Sequence, residues 1–285
     1  MKFSDRYLTV AEANRRNYEK QARHYLKHAA CVNQEYDQGL LAHDLERAVR
    51  ELGDLGRPPV ALDACGGAGN AALKLQALGC DVHLVDISAH MVEIYRQDCL
   101  EAGYTASAET GEIGSFFAGT SRKFDLIVFC SALHHLEDPV LVLSCAQRAL
   151  APGGLIVTIF DPIRPSRSMR LLRQPLRILD RAVKRPSLIF TRAIPVIRRI
   201  FSGGSRHKQR TLVITEQNVG TLAEFHGGSG FDDGALVREI EQTASLTMLC
   251  HDRYIGGCGR LEAILLKLIR RPNGFKLLLK SAPKA

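Results

Sequence analysis

The strongest constraint on the fold is an alternation of short apolar runs and helical patterns between residues 59 and 161. Residues 59–63 (PVALD) form an apolar run, 66–69 a glycine-rich turn and 70–78 a helical pattern. The unit then repeats. Residues 81–86 (DVHLVD) precede a helix over 88–102, 124–130 (FDLIVFC) precede a helix over 139–150, and 154–161 (GLIVTIFD) read as another strand. Strands this uniformly apolar are buried on both faces, and their alternation with helices predicts an α/β fold with a mostly parallel, doubly wound sheet. The pattern breaks at Asp161 and resumes near Asp233, with a helix over 234–244, a strand over 246–254 and a final strand over 261–270. Residues 8–52 carry apolar side chains at helical spacing, closed off by Gly53, Gly56 and the Pro58–Pro59 pair. The expected organisation is a helical amino-terminal cap over 1–57, one nucleotide-binding domain over 58–162 and 232–285, and an insertion over 163–231.

That insertion is the most basic part of the chain. Between residues 163 and 210, twelve arginines and two lysines stand against one aspartate, so the remainder is net acidic although the whole chain carries +8. Over 170–185, Arg170, Arg173, Arg177, Arg181 and Lys184 share one helical face and Leu172, Leu176, Leu179 and Val183 the other. Pro175 predicts a helix start or a kink there. Three roles stay open for the insertion. It is a cap over a substrate pocket, a peripheral contact with an anionic membrane surface through residues 164–210, or, less in keeping with its few aromatic residues, a nucleic-acid contact. No run reaches the ~18 apolar residues that span a bilayer. The eight cysteines are scattered without a Cys-x-x-Cys pair, so neither a metal centre nor a redox dithiol is expected, and a reducing cytoplasm is the expected compartment.

The chemistry points to residues 63–90. A glycine turn between a strand and a helix lets a ligand approach the backbone, and the helix start offers free N–H groups. Here the turn is Asp63-Ala64-Cys65-Gly66-Gly67-Ala68-Gly69-Asn70, and Asp86 closes the next strand, where a carboxylate can accept hydrogen bonds from ribose hydroxyls. Those features alone admit two cofactor classes. Gly67-x-Gly69-x-x-Ala72 also satisfies the loose dinucleotide fingerprint, so an NAD(P)-dependent oxidoreductase is the alternative.

Four segments in order tip the balance. Residues 59–69, Val85-Asp86-Ile87-Ser88 with Met91, residues 124–139 with His134-His135-Leu136-Glu137-Asp138-Pro139, and residues 148–155 with Pro152-Gly153-Gly154 together resemble class I S-adenosylmethionine-dependent methyltransferases. Cys65 departs from the pattern, standing where the family often has its first glycine. The resemblance implies a seven-stranded sheet in the order 3-2-1-4-5-7-6 with an antiparallel seventh strand, and S-adenosylmethionine as cofactor. It places Asp63, Cys65, Gly67 and Gly69 at the methionine part, Asp86, Ile87 and Met91 around the ribose, Glu112 and Ile113 near the adenine, and Cys130 at the end of strand four. A cofactor-binding protein of this fold without turnover is a further alternative.

A sulfonium methyl is already electrophilic, so the enzyme's main task is to place a nucleophile in line with it. A hydroxyl or carbon acid must also lose a proton, for which histidine is suited. His134, His135 and His226 are the candidates, with His251, Tyr25 and Tyr36 better explained by packing. The expected acceptor is a small or amphipathic, lipid-like molecule methylated at oxygen, carbon or nitrogen.

Overall fold

In the computed structural model, which describes residues 9–184 and 223–281, seven strands form one sheet. They are β1 (Val60–Ala64), β2 (Asp81–Asp86), β3 (Ser107–Thr110), β4 (Phe124–Cys130), β5 (Leu150–Pro162), β6 (Leu246–Tyr254) and β7 (Gly274–Ser281), in the order β3-β2-β1-β4-β5-β7-β6. The first five pair in parallel, while β7 runs antiparallel to both β5 and β6. Both the order and the reversed strand match the expectation.

Helices cover both faces. Leu41, Leu45, Leu75, Val92 and Tyr95 pack on one face, from α3 (Glu35–Leu52), α4 (Asn70–Ala77) and α5 (Ala89–Ala102). Phe117, Leu143, Ala146, Leu236 and Ile240 pack on the other, from α6 (Ile113–Gly119), α7 (Pro139–Ala149) and α9 (Asp233–Thr243). At the amino end, α1 (Val10–His28) and the short α2 (Ala30–Asn33) precede α3. Of the segment expected as an amino-terminal cap, α3 belongs to the sheet's own helical layer.

Asp125, at the start of β4, fastens the lower edge of the sheet. Its carboxylate takes a forked pair of bonds from Arg57 at 2.6 and 3.0 Å and the Val60 N–H at 2.8 Å, fixing where β1 begins beside β4. The guanidinium and the amide hold the Asp125 carboxyl below its usual range despite the opposing effect of burial.

Two local expectations are corrected. Residues 261–270 are not the last strand: α10 (Arg260–Leu268) occupies them, and β7 follows. Leu261, Ala263, Leu265 and Leu266 are good helix formers, and the helix buries Leu266 with Met169 and Cys258 while leaving Leu268 exposed. The basic helix α8 (Arg167–Lys184) does not start at Pro175 but passes through it. Its first turns are anchored on α10, where Arg173 pairs with the fully buried carboxylate of Glu262. Arg173 is thus drawn into the protein, whereas Leu171 and Leu172 are exposed, so the division into a solvated basic face and a buried apolar one fails there. Residues 185–222 lie outside the described residues, and with them most of the insertion and the membrane contact expected of it. Among the described residues no helix is long and apolar enough to cross a membrane.

Candidate cofactor and acceptor site

Parallel strands gather the chain's loops at their carboxyl ends, and a cavity of about 1230 Å³ lies there, above β1, β2 and β4. Binding sites for single small molecules run to about 1,000 Å³. This one has room for two ligands.

The turn after β1 forms its floor. Cys65, Gly66, Gly67, Ala68 and Asn70 reach the cavity wall. Cys65 adopts a left-handed backbone with φ of 58°, a conformation that glycine takes more readily than any other residue. Burial and the surrounding carboxylates push its thiol up, so it stays protonated.

Two residues expected at the cofactor lie behind the turn instead. The Asp63 side chain is fully buried and accepts the Ala72 N–H at 2.9 Å, bracing the first turn of α4. Gly69 has φ of 82°, and a Cβ there would come within 2.2 Å of the Tyr95 ring. Its role is to let α5 approach the turn. Neither residue reaches the cavity wall.

Asp86 does reach it. One carboxylate oxygen accepts the Gly67 N–H at 2.8 Å and the other the Ser88 N–H at 2.9 Å, which ties β2 to the turn. Burial raises its pKa, against the pull of both amides. Ile87, Met91, Glu112, Ile113 and Cys130 also line the cavity. Glu112 is engaged, since its carboxylate caps α6 through the Gly114 and Ser115 N–H groups at 2.9 and 2.7 Å.

Burial raises the Asp63 carboxyl to about 7, well above its ordinary value. A native carboxyl that holds its proton more tightly than the unfolded chain contributes stability that is complete below pH ~4 and lost as pH rises through 7. Asp63→Asn mimics the protonated acid and still accepts from Ala72. Its stability relative to the parent should therefore improve between pH 5 and pH 8, by on the order of 2 kcal/mol. Denaturant unfolding at the two pH values measures this, and an equal difference at both would show that Asp63 is ionised throughout.

The other end of the cavity is built from three parts of the chain. A 3₁₀ turn, Leu133–His135, follows β4. Asp161, on β5, accepts from the His134 backbone at 3.0 Å and bonds His134 Nδ1 at 2.8 Å. His134 is itself buried and its pKa is raised, the carboxylate partners outweighing burial. His135 lines the cavity, with Nδ1 on the Ala223 carbonyl at 2.7 Å and Nε2 at 3.2 Å from the Tyr18 hydroxyl. Burial, and then the charge of His134, lower its pKa to about 3, so His135 is neutral with Nδ1 protonated and a lone pair on Nε2. Tyr18 donates to Glu224 at 3.2 Å, and Asn14 donates to the His135 carbonyl at 3.0 Å, so α1 is pinned over this end. His226 also reaches the wall and contacts the Phe231 ring at 4.9 Å; burial lowers its pKa.

The three histidines expected near the methyl group are thus brought together. His251 is not among them, being bonded to Asp233 at 2.8 Å on β6. Tyr36 is exposed beneath Lys267, and the side chain of Tyr25 lies outside the described residues. Asn14, Tyr18, Asp161 and Glu224 were not anticipated. Nor was the convergence of His134, His135 and Glu224, whose ligand atoms all lie within 4.8 Å of one another. The cysteine spacing that argued against a metal centre speaks only of thiolate ligands.

The charge of the walls separates the two cofactor classes. Asp86, Asp98, Glu112, Glu137, Asp138, Asp232 and Glu239 line the cavity, with Arg164 the one Arg or Lys among its described residues. Such a wall repels the pyrophosphate of a dinucleotide and attracts a ligand carrying a sulfonium and an ammonium group. Residues 34–180 match the model of a methyltransferase domain, over half the chain. The chain belongs to the class I S-adenosylmethionine-dependent methyltransferase family. The sequence is 30% identical over 125 residues to the tRNA 5-carboxymethoxyuridine methyltransferase of Escherichia coli K12, covering 43% of this chain and 47% of that one. It is 27% identical over 104 residues to the ubiquinone biosynthesis O-methyltransferase of Thiobacillus denitrificans, covering 35% and 45%. The chain therefore spans about half the length of the curated relatives it matches. Among solved structures, the fold resembles magnesium protoporphyrin IX methyltransferase from Synechocystis PCC 6803 with bound S-adenosylhomocysteine (TM-score 0.54, 14% identity, 96% and 100% of the two chains). It also resembles the N-methyltransferase NodS of Bradyrhizobium japonicum with the same ligand (TM-score 0.52, 14% identity, 93% and 98%). At these identities the likeness is one of fold.

Proposed function

We propose that this protein transfers the methyl group of S-adenosylmethionine to a hydroxyl oxygen of a small or amphipathic acceptor. The observation that carries this is the acid-walled cavity with Asp86 at one end and His135 and Tyr18 at the other, where the Tyr18 hydroxyl donates to Glu224 behind it. Asp86 would hold the cofactor's ribose and residues 65–68 its methionine part, and the bound cofactor would supply an electrophilic methyl group. The acceptor enters beneath α1, against Val10, Leu136, Phe231 and Leu236, with its oxygen directed at the methyl group.

In-line displacement makes the acceptor oxygen the nucleophile and leaves the sulfur neutral. The lost hydroxyl proton goes to Glu224, which already accepts from Tyr18, beside His135, whose Nδ1–H donates to the Ala223 carbonyl and leaves a lone pair on Nε2 facing Tyr18. Burial of the apolar walls excludes water that would compete for the methyl group.

Calorimetry tests the cofactor and labelled S-adenosylmethionine tests the transfer. S-adenosylhomocysteine should bind with a micromolar or lower Kd and NADH should not bind. Incubation with fractionated metabolite extracts should label a hydroxyl-bearing compound. Binding of NADH in place of S-adenosylhomocysteine would overturn the cofactor assignment, and tight cofactor binding with no labelled product in any extract would favour a non-catalytic role.

A further inference from the structure

We propose that His134, His135 and Glu224 bind a divalent transition-metal ion of the zinc type at the acceptor end of the cavity. The geometry begins with the two imidazoles, whose ring centroids are 4.0 Å apart. Each turns its Nδ1 to a fixed oxygen, His134 to Asp161 at 2.8 Å and His135 to the Ala223 carbonyl at 2.7 Å. Histidines that ligate metals usually donate one ring nitrogen to a carboxylate or a backbone carbonyl in this way, which fixes the tautomer and aims the other lone pair. Here the two Nε2 atoms converge on the Glu224 carboxylate, which lies 3.7 Å from His134 Nε2. Three lone-pair groups meet in one place, with the Tyr18 hydroxyl between two of them.

The backbone leaves room for this arrangement. A Cβ on Gly227 would come within 2.4 Å of the Glu224 carboxylate and 3.4 Å of the His134 ring. Ligands about 2.1 Å from a tetrahedral zinc ion are roughly 3.4 Å from one another, so the atoms need move only on the order of an ångström to close on an ion. Two imidazoles and one carboxylate suit zinc, iron or cobalt, whereas magnesium prefers six hard oxygens. Three protein ligands leave a fourth position to a tetrahedral ion, and of the three it is His135 that lines the cavity, together with Tyr18. The use of that position rests on the methyltransferase reading: an acceptor hydroxyl bound there would ionise more readily, with its proton passing to solvent or to Glu224.

The test uses the full chain after dialysis against a chelator. Zinc titrated calorimetrically should bind one ion per chain, and cobalt should develop the visible absorption of a four- or five-coordinate site. Glu224→Gln and His135→Gln should each weaken zinc binding at least a hundredfold. Gly227→Ala, which alters no ligand, should weaken it at least tenfold by displacing Glu224. His43→Gln, on the exposed side of α3, should leave it unchanged. S-adenosylhomocysteine affinity should stay within about twofold in Glu224→Gln, so loss of metal is read separately from loss of the cofactor. No zinc binding by the parent chain, zinc binding that survives both ligand substitutions, or magnesium bound as tightly as zinc would each overturn the proposal. Failure of S-adenosylhomocysteine to bind would instead overturn the methyltransferase reading and leave the metal site standing.

Discussion

Asp86→Ala should lose at least about a hundredfold in affinity for S-adenosylhomocysteine, measured by calorimetry at neutral pH. Each hydrogen bond from a ribose hydroxyl to a charged carboxylate contributes roughly 1.5–3 kcal/mol, and a 2′,3′-diol makes two. The same substitution removes the bonds that hold Gly67 and Ser88, so the floor of the cavity loses its tie to β2 as well. Asp86→Asn separates the two effects, since it retains an acceptor but not the charge. Its loss should be intermediate, about tenfold. Unchanged affinity in Asp86→Ala would place the cofactor elsewhere.

The second large effect concerns stability. Gly69→Ala should destabilise the protein by about 3 kcal/mol, from roughly 1–2 kcal/mol for a side chain in the left-handed region and a similar cost for overlap with Tyr95. Gly67→Ala provides the comparison. Gly67 also has positive φ, but nothing lies within 4 Å of an added Cβ, so only the backbone cost of about 1 kcal/mol is expected. Equilibrium urea unfolding measures both. Combining Gly69→Ala with Tyr95→Ala should cost at least 1 kcal/mol less than the two changes added together, because the second removes the obstacle met by the first. Strict additivity would show that Tyr95 does not press on the turn.

These two residues also mark what the sequence made visible. The position of Asp86 at the cavity wall was legible because it is set locally: an acid at the end of a strand, one turn away from a glycine loop, with Ser88 starting the next helix. The strand order was legible through the resemblance of four motifs, since no property of a single strand states which neighbour it will choose. Gly69 was visible as a glycine but its purpose was not, because Tyr95 comes from a helix a full βα unit later. The brace that Asp63 gives α4 was hidden for a related reason: an acid beside a glycine turn can face the ligand or brace the helix, and only the packing of α4 shows the second. The acceptor end was the least legible. Tyr18, His135 and Glu224 come from an amino-terminal helix, the turn after β4 and the segment leading into α9, and no spacing along the chain links them. Over 261–270 an apolar stretch interrupted by Glu262 and Lys267 suited helix and strand alike, and the pairing of Glu262 with Arg173 on α8 joins the helix to its neighbour through a tertiary contact.

The acid-lined wall has a consequence for turnover. Methyl transfer converts a sulfonium into a thioether, so the cofactor gives up one positive charge while the seven carboxylates that line the cavity stay where they are. The attraction that draws in the fresh donor therefore weakens for the spent one at the moment it is made. This chain should favour S-adenosylmethionine over S-adenosylhomocysteine in direct competition, more so at low ionic strength, and the reverse preference would show that those charges are too far away or too well screened to matter. A pocket of this kind biases exchange forward, letting a cell's supply of donor displace the used molecule without a separate device to eject it.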